Sequence, residues 1–103
     1  MENTIMNRLE IMEKILEILN KSDYFFLHDV IQDITEESKI IEDLSMDSIQ
    51  VMEFIVDIED MFGIRFDFNK FVASDIEDVG AIISVVVKYL ADKKKEEDRF
   101  EQK

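Results

Sequence analysis

The chain has 103 residues, 47% of them hydrophobic, with no cysteine, no proline, two glycines and a formal net charge of −13. That length suits one domain with a modest core. The lack of cysteine excludes a disulfide framework and any thiolate nucleophile or metal site, and scarce glycine and proline argue against a many-stranded β fold. No apolar run is long enough to cross a bilayer and no basic-then-apolar leader opens the chain, so a soluble cytoplasmic protein is the expectation. The charge is segregated: residues 29–60 hold 11 acids and one base, Lys39, whereas residues 92–103 hold five of each. Such a field repels nucleic acid and anionic lipid and favours encounter with basic protein surfaces.

In chain order, Ile5, Leu9, Met12, Leu16 and Leu19 recur by four, three, four and three, which is a helical stripe widened by Ile11, Ile15 and Ile18. The spacing predicts a helix over residues 4–20, with Asn3 or Thr4 at its start and Asn20 at its end. Residues 21–46 carry Tyr24, Phe25, Phe26, Leu27, Val30, Ile31 and Ile34 without one long face. Residues 29–34 suit a short helical turn, and the aromatics suit an ordered loop that covers the helices. Asp47 with Gln50 three residues on forms a capping-box pattern. It opens the best amphipathic helix of the chain, 48–62, ended by Gly63. Val51, Phe54, Ile55, Ile58, Met61 and Phe62 mark its core side. Ile49, Met52 and Val56 form a second apolar stripe, either buried by the long loop or offered to a partner.

Residues 64–71 read as a linker anchored by Phe66, Phe68 and Phe71. Ser74 or Asp75 is a candidate cap for a brief turn. Val79, Ile82, Ile83, Val86, Val87 and Leu90 predict a last helix ending near Ala91, with the charged residues 92–103 as a frayed tail outside a domain of residues 1–91. Lys93–Glu97 and Lys94–Asp98 have helical spacing but the weaker charge order.

Little conventional chemistry is available. His28 is the single histidine, and its position in a loop suits a surface residue better than a base. The acidic pairs Glu36-Glu37, Glu42-Asp43 and Glu59-Asp60 lack the alternating ligands and glycine of a calcium loop and read as a solvated face. The melting temperature is expected to rise with sodium chloride and to rise further with millimolar calcium or magnesium at matched ionic strength, the second effect requiring carboxylates gathered by the fold at Glu42, Asp43, Asp47 or along residues 53–60. Ser48 is different. It stands beside a carboxylate at the junction of a long loop and a helix, where exposure and the positive end of the helix dipole suit a phosphate-linked group.

Leu44-Ser45-Met46-Asp47-Ser48-Ile49, the acidic helix after it, Phe62-Gly63-Ile64 and the later Val79 helix together resemble the acyl carrier and peptidyl carrier proteins, over roughly residues 5–90. The resemblance implies an all-α four-helix bundle with a long first loop and a short third helix. It implies a carrier that is not an enzyme; a monomer with no bound metal and no membrane insertion is the accompanying expectation. It further implies that Ser48 receives phosphopantetheine from coenzyme A through a phosphopantetheinyl transferase, and that the arm carries acyl or aminoacyl groups as thioesters to loading and processing enzymes. The residues matching the family's partner-binding positions are Asp47, Ile49, Met52, Glu53, Val56, Glu59 and Asp60. Val51, Phe54, Ile55, Ile58 and Phe62 would border a cleft for the acyl chain. Two positions depart from the family. Ser45 stands where glycine is usual, which calls for a backbone compatible with a Cβ. Gln50 stands where an acid is common. Both point away from the housekeeping fatty-acid role and toward a specialised fatty-acyl, polyketide or nonribosomal peptide pathway. The competing reading is an unmodified acidic adaptor that grips basic proteins with the Ile49–Met52–Val56 stripe.

Overall fold

Helix α1, Arg8–Leu19, starts where Asn7 closes a capping box: its side chain accepts from the Glu10 N–H at 2.8 Å, and its own N–H donates to the Glu10 carboxylate at 3.0 Å. The computed structural model describes residues 6–101, so the expected caps Asn3 and Thr4, and Ile5, lie outside the described residues. Asn20 ends the helix as expected, its N–H reaching the Leu16 carbonyl. The buried face is Ile11, Ile15, Ile18 and Leu19, whereas Leu9 is 67% exposed and Met12 and Leu16 are half-buried. The core side is therefore the Ile11, Ile15 and Ile18 flank of the stripe together with Leu19. Fully burying each such aliphatic side chain contributes about 1.5–3 kcal/mol.

The long loop does cover the bundle. Tyr24, Leu27, Ile34, Ile40, Leu44 and Met46 are all buried in one continuous core with the helices. Its local structure is two 3-10 segments, Ser22–Leu27 and Ile31–Asp33, the second inside the turn expected over residues 29–34; the side chain of Phe25 lies outside the described residues. The loop is sewn to the last helix at several points. Ile40 N–H donates to the Glu77 carbonyl at 3.0 Å, Gly80 N–H to the Glu36 carbonyl at 2.8 Å, and the Arg8 guanidinium joins the Glu36 carboxylate, the Gly80 carbonyl and the Ser84 hydroxyl. Hydrogen bonding to Glu36 raises the already high proton affinity of Arg8.

Helix α2, Ser48–Phe62, has the predicted bounds. It stops because Gly63 adopts the left-handed conformation at φ 65°, which glycine enters without a Cβ penalty. The next segment holds a 3-10 turn, Phe68–Lys70, anchored by ring contacts among Phe66, Phe68, Phe71 and Tyr89. In place of a short third α-helix stands a four-residue 3-10 turn, Ala73–Ile76, in which the Asp75 carboxylate accepts from the Val72 N–H at 3.0 Å. Helix α3, Val79–Glu101, does not end near Ala91. Alanine, lysine, glutamate and arginine in residues 91–101 are strong helix formers. Lys93 also ties the extension to the body by donating to the Gly63 carbonyl at 2.8 Å. The side chains of Glu97 and Asp98, on which the two expected pairs depend, lie outside the described residues.

Among the described residues there are thus three α-helices and no strand, apart from one bridge between Lys39 and Asp78. Helix α1 packs on both α2 and α3. No described helix is long and apolar enough to cross a membrane.

Candidate functional site

The loop is held tightly just before α2. Leu44 N–H donates to the Lys39 carbonyl and Met46 N–H to the Ile40 carbonyl, and both side chains are buried. Ser45 lies between them with φ 60°, the only described non-glycine residue at positive φ. This corrects the expectation of a backbone that accommodates a Cβ. The loop keeps the glycine-type turn, and serine bears the strain of the left-handed region, about 1–2 kcal/mol for an L-residue.

Asp47 then caps α2. Its carboxylate accepts from the Gln50 N–H at 2.8 Å, and its own N–H donates to the Gln50 side-chain oxygen at 2.9 Å. Ser48 follows as the first helical residue, exposed. The capping box takes the Gln50 N–H, while the N–H groups before it have no carbonyl within the helix to bond. A phosphate on the Ser48 hydroxyl would sit beside those donors, at the positive end of the helix. An exposed hydroxyl and first-turn donors fit a phosphopantetheine group.

Two grooves flank α2. One, of about 710 Å³, is lined by Tyr24, Ser48, Ile49, Met52, Glu53, Val56 and Asp57. Its apolar wall is the second stripe, left uncovered by the long loop: Ile49 is 71%, Met52 51% and Val56 45% exposed. Its floor escaped the sequence reading. Tyr24 is buried, and its hydroxyl donates to the Asp57 carboxylate at 2.7 Å. Only an aromatic in a loop hinted at this; nothing in the spacing pairs residues 33 apart. The other groove, of about 510 Å³, lies between the loop, α2 and the Ala73–Ile76 turn, with Ile41, Val51, Ala73 and Ile76 as its apolar lining. Lys39 borders it, held above the usual lysine range by its hydrogen bond to Glu77. Of the five residues expected to border a cleft, Val51 alone lines this groove; Phe54, Ile55 and Ile58 are sealed in the core.

The expected partner-binding residues are split by their surroundings. Asp47, Ile49, Met52, Glu53, Val56 and Asp60 are exposed. Glu59 is half-buried, and its carboxylate accepts from the Phe66 N–H at 2.8 Å, which ties α2 to the following loop. Among the described residues no group of three or more histidines or acids is placed to hold a metal ion.

Comparison with known proteins agrees with this geometry. Residues 26–84 match the family described as "Phosphopantetheine attachment site". The chain is 33% identical over 86 residues to an acyl carrier protein of Saccharopolyspora erythraea, spanning 84% of each chain. It is 37% identical over 57 residues to an acyl carrier protein of Thermotoga maritima, 55% of this chain and 68% of that one. The solved structure of an acyl carrier protein from Enterococcus faecalis, 33% identical, superposes with a TM-score of 0.60 over 82% of this chain and 99% of its own. A phosphopantetheine-attachment match over more than half the chain, with a relative of this identity and coverage, leaves one assignment: the chain belongs to the acyl carrier family, whose members are carriers rather than enzymes and work through a phosphopantetheine cofactor.

Proposed function

We propose that Ser48 is the attachment residue and that the exposed face of α2 beside it docks the enzymes that modify, load and unload the carrier. One observation carries the reading. Within the matched region, Ser48 is an exposed hydroxyl on the first turn of α2, directly after a capping aspartate and at the edge of an apolar groove. The chain has no cysteine, so phosphopantetheine would supply the thiol on which acyl or aminoacyl cargo is held. The protein's part is to present the hydroxyl, stabilise the phosphodiester charge and offer a recognisable face. Asp47, Ile49, Met52, Glu53, Val56 and Asp60 form that face. Glu59 belongs to its border, its carboxylate being shared with the Phe66 backbone. The groove bordered by Ile41, Val51 and Ile76, on the other side of α2, offers an apolar shelter for a cargo chain.

The carrier serves a specialised acyl, polyketide or nonribosomal peptide pathway in this reading. Support comes from Ser45 in a glycine-type turn and from Gln50, which removes a charge from the recognition face and makes it the neutral partner of the capping box. Incubation with coenzyme A and a broad-specificity phosphopantetheinyl transferase should add one phosphopantetheine mass, mapped to Ser48 by peptide sequencing. Ser48→Ala should fold and stay unmodified. Modification of the alanine variant would overturn the site.

A further inference from the structure

We infer that Met52 is an oxidation site whose sulfoxide weakens docking on α2. The inference rests on the reading of that helix as the docking face. Three observations support it. Met52 is 51% exposed, whereas Met46 is buried and Met6, Met12 and Met61 are half-buried. It stands centrally in the apolar stripe between Ile49 and Val56, and it lines the same groove as Ser48. The chain has no cysteine to intercept an oxidant, so methionine sulfur is its accessible reductant.

The chemistry balances with hydrogen peroxide as oxidant. The thioether sulfur attacks one peroxide oxygen, an S–O bond forms and the O–O bond breaks. Sulfur gives up two electrons, and the second oxygen leaves as water. A flexible apolar side chain thereby becomes a polar, chiral sulfoxide in the middle of the apolar stripe. The neighbouring Glu53 and Asp57 carboxylates offer it no hydrogen-bond donor when ionised, so a partner must desolvate the sulfoxide oxygen to close over it. A methionine sulfoxide reductase with a dithiol reverses the change. The oxygen leaves as water and the dithiol becomes a disulfide, so the face can be restored.

The test treats the cofactor-free protein with graded hydrogen peroxide, removes the oxidant, maps methionine oxidation by peptide mass, and measures initial rates of modification by one transferase. Met52 should oxidise before Met6, Met12, Met46 and Met61. The rate at limiting carrier should fall about fivefold as Met52 sulfoxide accumulates, the loss expected for spoiling one apolar contact. Reductase with dithiothreitol should restore it. Met52→Leu is scored against its own untreated rate, and that ratio should stay near one. Melting curves before and after oxidation establish that the fold is intact. Failure of the untreated protein to be modified would count against the Ser48 assignment. A treated protein oxidised at Met52 but modified at the untreated rate would overturn the present inference, as would equal peroxide sensitivity in Met52→Leu.

Discussion

The strain at Ser45 can be measured without disturbing any packing. Ser45 is exposed and sits at φ 60° between buried Leu44 and Met46. Holding an L-residue in the left-handed region costs about 1–2 kcal/mol. Replacing it with glycine removes that cost, but the freer unfolded glycine chain returns about 0.5–1 kcal/mol. Ser45→Gly should therefore stabilise the fold by about 0.5 kcal/mol, or roughly 2–4 °C in Tm for a domain of this size. Ser45→Val goes the other way, because a β-branched side chain at positive φ is a true outlier. The gap between the two variants should reach about 2 kcal/mol, near 10 °C by the same scaling. An ordinary exposed position would separate them by no more than about 0.5 kcal/mol. Urea unfolding followed by circular dichroism gives the difference directly, with the slope checking that the denatured state is unchanged. Glycine and valine variants of equal stability would show that the loop does not hold this turn in solution. Both variants should still accept modification at Ser48, since the capping box of Asp47 and Gln50 does not involve residue 45.

Glu53→Lys combined with Asp60→Lys should slow association with a transferase about tenfold at low salt and flatten the salt dependence, because both acids are exposed and act on encounter rather than on folding; stopped-flow rates across a salt series that match wild type would place recognition elsewhere. The melting temperature should rise between low salt and about 0.5 M sodium chloride as the net charge of −13 is screened. The further rise with calcium or magnesium expected from the sequence is corrected by the fold: at matched ionic strength they should add nothing, since among the described residues no group of three or more acids is placed to hold a metal ion; a specific rise with calcium would reveal a site this fold does not display.

What was legible in the sequence was local. Asp47, Gln50 and Gly63 specify both ends of α2 through contacts no more than a few residues apart, and the helix has the expected bounds. The face of α1 was harder, because two overlapping stripes share one helix and only the position of its neighbours decides between them; Ile11, Ile15 and Ile18 won, and Leu9 was left outside. The end of α3 is not legible locally, because residues 92–101 combine a weak charge order with strong helix propensity and because the bond from Lys93 to the Gly63 carbonyl joins residues 30 apart. The site divides the same way. Ser48 was visible because its exposure follows from the cap before it. The Tyr24–Asp57 bond and the capture of Glu59 by the Phe66 N–H were not, since each depends on a loop closing back on α2. These long-range contacts determine which acids remain available on the proposed docking face. Counting carboxylates along α2 gives Glu53, Asp57, Glu59 and Asp60 equal weight. The fold turns two of them toward loops and leaves Glu53 and Asp60 exposed on the proposed docking face.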